Sequence, residues 1–169
     1  MASNRRSVIV SILFVLFGGP GIVLLYLPLW ITHFRVPIGE PLGLRLLAAG
    51  LIALGLGPLL DSICRFIYAG RGTLMPNVPT ERLVASGLYL RVRNPMYVGD
   101  LIVLAGEAML FQSLAMAIYT IIIAIGFHLF ILLDEERTLA RRHPADYPLY
   151  RANVPRWLPR FTAWNSGQV

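Results

Sequence analysis

Residues 93–136 read RNPMYVGDLIVLAGEAMLFQSLAMAIYTIIIAIGFHLFILLDEE. Two apolar runs in this stretch, residues 96–111 and 114–133, are joined by only Gln112 and Ser113. A link this short predicts a helical hairpin that enters a membrane and returns to the same face. The polar ends of the hairpin are therefore expected to meet at one membrane surface. Those ends are Arg93-Asn94-Pro95-Met96-Tyr97 and Asp134-Glu135-Glu136.

The composition places the whole chain in the membrane class. Of its 169 residues, 56% are apolar and 14% are charged. Residues 8–31 and 42–68 form two further apolar runs, each near the ~20 residues that cross a bilayer as a helix. We therefore predict an all-α integral membrane protein, a single multi-pass domain over residues 1–169 with about four transmembrane helices. Residues 8–31 are too long for the apolar core of a secretory signal and precede no small-x-small cleavage site, which predicts a retained helix.

The charge distribution predicts the orientation of the chain. The formal net charge is +6 and every basic residue is an arginine. With four spans, thirteen arginines fall on one side of the membrane and only Arg35 and Arg45 on the other. The positive-inside rule then places both termini and both hairpin ends in the cytoplasm. This pattern favours membrane lipids as the surroundings of the basic residues, and no nucleic-acid partner is expected.

Several residues carry predictions about packing alone. The run Gly18-Gly19-Pro20-Gly21 predicts an interruption of the first span. In the second span, small residues recur every four positions and predict a face for close helix contact: Ala49, Ala53 and Gly57. Asp61 and Arg65 have the spacing of a salt bridge within a helix. Cys64, the only cysteine, is expected to be a buried thiol that takes part in no chemistry.

The hairpin ends carry signals for where helices begin and end. Asn94 is a suitable N-cap and Pro95 suits the first helical position, so a helix is expected to start there with its N–H groups free for a carboxylate or phosphate. At the other end, acids at a helix C-terminus would be unfavourable. We therefore predict that the fourth helix continues through Arg141 and Arg142 and stops before Pro144. The tail beyond it is expected to cap the site, with its aromatic residues at the lipid headgroups.

Ionisable residues inside the hairpin are candidates for special roles. Asp100 and Glu107 are seven residues apart and share a helix face. We expect Glu107 to make a structural hydrogen bond, with His128 as its possible partner, and Asp100 to belong to a site at the cytoplasmic end. The sequence contains no nucleophile triad, phosphate-binding glycine loop, Rossmann fingerprint or metal-ligand spacing, so no metal is expected.

Together the polar motifs resemble the isoprenylcysteine carboxyl methyltransferase and phospholipid methyltransferase superfamily. The family pattern is Gly-x-Tyr-x-x-x-Arg-His-Pro-x-Tyr, a helical hairpin, Glu-Glu, Tyr-x-x-Tyr and Val-Pro-Arg-x-x-Pro. The resemblance covers about residues 80–160. The matching segments are Gly87-Leu88-Tyr89, Arg93-Asn94-Pro95-Met96-Tyr97, Glu135-Glu136, Tyr147-Pro148-Leu149-Tyr150 and Val154-Pro155-Arg156-Trp157-Leu158-Pro159. One position departs from the pattern, because Asn94 stands where the family has a histidine.

This resemblance implies an S-adenosyl-L-methionine-dependent methyltransferase whose cytoplasmic loop and tail form the site, with a lipophilic acceptor arriving from the bilayer. It implies the following cofactor-binding residues: Gly87, Tyr89, Arg93, Asn94, Pro95, Tyr97, Glu135 and Glu136. Arg156 would orient a carboxylate acceptor, whereas Glu136 or Asp100 would take the proton from an amine acceptor. The sequence leaves O-, N- and S-methylation open, and also the oligomeric state. Two alternatives are a membrane module that has lost activity through Asn94 and, less favoured, a sterol-reductase-like enzyme that binds a nicotinamide cofactor.

Overall fold

The structure, a computed structural model, describes residues 13, 17–37, 39, 41–68 and 83–165. All regular structure in these ranges is helical, which confirms the all-α class. The elements in chain order are α1 (Gly19–Ile31), α2 (Leu42–Tyr68), a 3₁₀ turn (Gly87–Leu90), α3 (Pro95–Phe111), α4 (Leu114–Arg142) and α5 (Asp146–Asn153). Helix α1 contains a π-helical stretch at Ile22–Tyr26, and α4 contains another at Ile131–Glu135. The N-terminal arginines, most of residues 8–18 and the basic loop at 69–82 lie outside the described residues.

Two of these helices are long and apolar enough to cross a membrane. They are residues 42–65 of α2, 24 residues long, and α4, 29 residues long. Helix α1 and the 17-residue α3 are apolar but shorter. Large apolar side chains such as Leu54 and Ile121 are exposed on α2 and α4, as expected for helices surrounded by lipid. The chain is therefore an all-α membrane protein.

Glycines set the contact between α2 and α3. A Cβ atom on Gly55 would lie 2.5 Å from the carbonyl oxygen of Gly99, and one on Gly99 would lie 2.6 Å from that of Gly55. About two turns further along α3, a Cβ on Gly106 would lie 2.9 Å from the carbonyl oxygen of Ala48. The two backbones can approach this closely only because these side chains are missing.

Among the described residues, no helix packs closely on the predicted small-residue face of α2. Ala49 and Ala53 are exposed, and a Cβ on Gly57 would meet nothing within 4 Å. The α2 sequence has two stripes of small residues, and only the glycines of α3 determine which one is buried. Cys64 is likewise exposed instead of buried, because it lies on the outward side of the helix. The salt bridge between Asp61 and Arg65 is confirmed, with Arg65 Nε 2.7 Å from Asp61 Oδ2.

The hairpin forms as predicted. Gln112 adopts the left-handed conformation (φ 46°, ψ 42°), and its N–H donates to the carbonyl groups that end α3. Ser113 caps α4 by accepting a hydrogen bond from the Met116 N–H at 3.3 Å. Helix α4 continues to Arg142, before Pro144, so the acids at 134–136 lie within a helix and not at its end. The interruption at Gly18 is also present, because its backbone (φ −104°, ψ −146°) is not helical.

Candidate functional site

The C-terminal tail lies across the start of the hairpin. Three backbone hydrogen bonds join them: Arg93 N to Pro155 O at 2.8 Å, Arg160 N to Arg91 O at 3.0 Å and Trp164 N to Leu90 O at 2.9 Å. The irregular tail is therefore fastened to residues 90–93 by main-chain hydrogen bonds, without forming a strand. This pairing fixes residues 155 and 156 beside the N-terminus of α3.

An aromatic core under the tail holds α5 in place. Tyr147, Tyr150 and Val154 are buried together, and the Tyr150 hydroxyl donates to the Tyr89 carbonyl oxygen at 2.8 Å. Burial raises the pKa of Tyr150, because the charged form would lose its hydration. The expectation that the tail aromatics face lipid headgroups was thus wrong for Tyr147 and Tyr150, because both are buried in this core.

The 3₁₀ turn before the hairpin packs onto the C-terminal end of α2. Gly87 has φ +56°, and a side chain there would overlap the guanidinium group of Arg65. Arg65 also donates from Nη1 to Ser86 Oγ at 3.1 Å. Tyr89 is buried beside Ser62, to which its hydroxyl is hydrogen-bonded, and this burial raises the pKa of Tyr89. Arg65 and Ser62 are therefore parts of the site region that the motif alone did not indicate.

Asn94 begins α3 but does not cap it with its side chain. Its Nδ2 donates instead to the Arg156 carbonyl oxygen at 3.1 Å, while its own carbonyl accepts from the Val98 N–H. Pro95 follows as the first helical residue and is buried. The side chain of Asn94 thus ties the start of the hairpin to the tail, and only its backbone has the predicted role at the helix start.

Glu136 is the centre of a cluster of arginines. Its Oε1 accepts from Arg156 Nε at 2.7 Å and from Arg93 Nη1 at 2.8 Å, and its Oε2 accepts from Arg156 Nη2 at 3.0 Å. Arg151 lies 3.8 Å from Oε2. The Glu136 side chain is only 6% exposed. The contact with Glu136 raises the pKa of Arg156, because the carboxylate stabilises the guanidinium charge. We call Arg93, Arg151, Arg156 and Glu136 the arginine cluster.

Glu135 faces the opposite way from Glu136. It is the last residue of the π-helical stretch, and its Oε2 accepts from the Tyr97 hydroxyl at 3.1 Å. Tyr97 in turn packs on Phe127, with ring centroids 4.6 Å apart. In the described part of the chain Glu135 forms no ion pair. π-Helical turns of this kind often occur at functional sites, because the extra residue redirects the side chains that follow.

Asp100 follows Tyr97 by three residues on α3, which places the two side chains on one side of the helix, about one turn apart. Its side chain is buried, and among the described residues its Oδ1 has no hydrogen-bond partner. We call Glu135, Asp100 and Tyr97 the acid pocket. A buried carboxylate oxygen without a partner is costly and points to a ligand group that completes it.

With this geometry in place, a comparison with protein families gives a match. The family model described as phospholipid methyltransferase matches residues 44–145. The chain belongs to the phospholipid methyltransferase family. The resemblance predicted from the motifs is thereby confirmed, and the chain is a membrane-associated methyltransferase. No curated protein and no solved structure matches it.

The region matched by the phospholipid methyltransferase family contains most of the site. It includes α2, the hairpin and both glutamates. It ends before α5 and the tail, so that Arg151 and Arg156 lie outside it. Two of the three arginines around Glu136 are therefore supplied by a segment that the family match does not cover.

Two predictions about the hairpin interior have different outcomes. The pairing of Glu107 with His128 was wrong, because the described residues show no hydrogen bond between them; His128 Nδ1 instead accepts from Trp157 Nε1 at 3.1 Å. Glu107 Oε2 is buried and has no hydrogen-bond partner among the described residues. His128 is thus a packed, hydrogen-bonded residue whose partner is in the tail. No local sequence signal reveals that partner, since Trp157 is 29 residues away.

Proposed function

We propose that this protein transfers a methyl group from S-adenosyl-L-methionine to a lipophilic acceptor embedded in the membrane. Methyltransferases of this family generally use this donor. The observation that carries the proposal is the division of the two adjacent glutamates. Glu136 is neutralised by arginines, whereas Glu135 belongs to the acid pocket, which has no cation of its own in the described part of the chain. The site therefore presents a positive and a negative region side by side.

The charges of the two regions match those of the cofactor. Three guanidinium groups surround one carboxylate in the arginine cluster, which leaves positive charge for the carboxylate of the methionine moiety. Arg93 Nε is buried and has no hydrogen-bond partner among the described residues, so one donor remains for that carboxylate. Glu135 would accept from the cofactor's ammonium group or ribose hydroxyls. Gly87 and Tyr89 would form the neighbouring wall, close to Pro95.

The bound cofactor supplies an electrophilic methyl group, and the protein has to align the acceptor and exclude water. The nearby tail, which is held by backbone hydrogen bonds to residues 90–93, would exclude water. Asn94 holds the tail at Arg156, and a histidine at position 94 would also offer a ring N–H as donor. The hydrogen bond therefore supports an active enzyme despite the departure from the family pattern, and it argues against a module that has lost activity.

The acceptor that the geometry favours is an amine. Arg156 was the candidate for orienting a carboxylate acceptor. Its guanidinium group, however, already donates to both carboxylate oxygens of Glu136. The acid pocket would repel a carboxylate or thiolate but would attract an ammonium group. An amine must lose one proton when it is methylated, and Asp100 Oδ1 is the buried acceptor for it. Glu136 is less suited to that task, because both its oxygens already accept from arginines.

The acceptor reaches this site from the lipid, on the cytoplasmic side of the membrane. The support for this side is the number of described arginines near the site compared with Arg35 and Arg45 at the other end of the helices.

Cofactor binding tests the proposal directly. Purified protein in detergent should bind S-adenosyl-L-methionine and its demethylated product in titration calorimetry with micromolar-scale affinity. Vesicles with phosphatidylethanolamine should then accept radioactive methyl groups, and a prenylcysteine carboxylate should accept fewer. Binding of neither cofactor form would refute the proposed function, and binding of a nicotinamide cofactor instead would favour the reductase alternative. Methylation of the carboxylate alone would refute the choice of an amine.

A further inference from the structure

The tail turns down along the outside of α4 after it leaves the site. Trp157 Nε1 donates to His128 Nδ1, and the two rings lie at 29° with centroids 6.1 Å apart. His128 precedes Glu135 by seven residues, which is ~10 Å along a helix. Trp157 is therefore anchored deeper in the apolar part of α4 than the acids of the site are.

The residues that follow Trp157 expose their apolar side chains. Leu158 is 81% exposed and Phe161 is 97% exposed. Next to His128 on α4, Leu129 and Phe130 are also exposed. The tail surface thus continues the apolar surface of a helix that faces lipid. Bulk water would be an unfavourable environment for such side chains.

The charge of the tail complements an anionic membrane surface. Residues 155–165 contain no acid. Their Arg156 is paired with Glu136, which leaves Arg160 as the cation of this segment that is not paired with an acid. Arg91 adds a second such cation, because its guanidinium group donates to the Phe161 carbonyl oxygen. Arginines next to exposed apolar side chains are typical of segments that lie in the interface of the cytoplasmic leaflet.

We propose that residues 157–161 insert into the cytoplasmic leaflet, with anionic phospholipid as the partner that covers Leu158 and Phe161. The segment forms a lipid-facing wall at the side of the site, next to α4. Insertion requires neither the cofactor nor methyl transfer, so the proposal stands or falls separately from the proposed function.

Spin labels report the depth of this segment. In full-length protein with Cys64→Ser, single labels would be placed by Leu158→Cys, Phe161→Cys and, as the control, Ala145→Cys. Ala145 is exposed beyond the end of α4. In bilayers with phosphatidylglycerol, labels at 158 and 161 should collide more with oxygen than with a water-soluble nickel chelate, and the label at 145 should show the opposite. Equal nickel accessibility at all three positions would overturn the proposal.

A second measurement uses the native side chain, in case a cysteine variant does not fold. The changes Trp30→Phe and Trp164→Phe leave Trp157 as the only tryptophan. Lipids brominated near the headgroup end of the acyl chain should quench its fluorescence by more than half. They should quench it less when phosphatidylcholine replaces the anionic lipid. Fluorescence unaffected by brominated lipid would refute insertion.

Discussion

At the scale of single residues, the two adjacent glutamates have opposite surroundings. Glu136 forms ion pairs with arginines, and the Arg93 side chain among them is only 10% exposed. Glu135 instead accepts a hydrogen bond from the hydroxyl of Tyr97. Two neighbours on a helix cannot face the same way, and the sequence shows that much. Which glutamate faces which way depends on the π-helical stretch and on the tail, and neither has a local signal.

The change Glu136→Gln should reduce stability strongly. It leaves Arg93 and Arg156 without their carboxylate, and breaking a buried ion pair costs about 3 kcal/mol. The unfolding midpoint of the purified protein should therefore fall clearly in a thermal scan. Asp134→Asn is the matched control, because Asp134 is exposed in the same acidic run and should leave the midpoint unchanged. Equal midpoints for the wild type and Glu136→Gln would show that the arginine cluster does not stabilise the fold.

The change Glu135→Gln should weaken cofactor binding and leave stability nearly unchanged. It removes a charge that has no arginine partner among the described residues, and hydrogen bonds to charged groups contribute about 1.5 kcal/mol or more, roughly tenfold in affinity. Calorimetric titration with S-adenosyl-L-methionine measures the loss. Unaltered affinity together with a lower unfolding midpoint would assign Glu135 to packing instead.

Position 94 can be tested by two substitutions of opposite effect. Asn94→Ala removes the donor to the Arg156 carbonyl oxygen, which should lower stability by about 1 kcal/mol and reduce methyl transfer because the tail is held less firmly. Asn94→His replaces the amide donor by a ring N–H and should retain activity. Stability is measured by thermal unfolding and activity by radioactive methyl transfer. A fully active Asn94→Ala protein would show that the tie between hairpin and tail is dispensable.

At the scale of elements, the sequence predicted where the helices begin and end more accurately than it predicted which of their faces are buried. Asn94-Pro95, Gln112-Ser113 and Pro144 mark helix ends by local chemistry, which acts whatever the helix packs against. The buried side of α2 depends on where Gly99 and Gly106 lie in space, so the sequence alone did not show that α3 packs on the stripe containing Gly55 and not on the one containing Gly57. Cys64 was misplaced for the same reason.

Two glycines of α2 provide a matched pair of substitutions. Gly55→Ala would place a Cβ 2.5 Å from the Gly99 carbonyl oxygen, whereas Gly57→Ala would meet nothing within 4 Å. The first change should destabilise the protein by roughly 2 kcal/mol through overpacking. The second should be neutral or stabilise it slightly, because alanine favours a helix more than glycine does. Unfolding midpoints of the two variants in the same detergent measure the difference, and equal midpoints would contradict the close crossing of α2 and α3.

At the scale of the whole molecule, the hairpin brings the site together and the tail completes it. The order of the motifs indicated the family and most of the residues near the site, because spacing around a short hairpin is visible in a sequence. The contacts of Trp157 with His128 and of Asn94 with Arg156 join residues far apart in the chain. Such contacts depend on the path of an irregular tail, for which hydrophobic periodicity gives no information.

The orientation of the whole molecule can be measured with a thiol reagent that does not cross membranes. In Cys64→Ser protein, cysteines at Ala145 and Val36, both exposed, lie at opposite ends of the helix bundle. The excess of arginines near the site predicts that Ala145→Cys reacts only in inside-out vesicles and Val36→Cys only in right-side-out vesicles. Labelling after detergent solubilisation shows that both thiols can react. The reverse pattern would place the site outside the cytoplasm, and labelling of both positions from one side would contradict a membrane-crossing bundle.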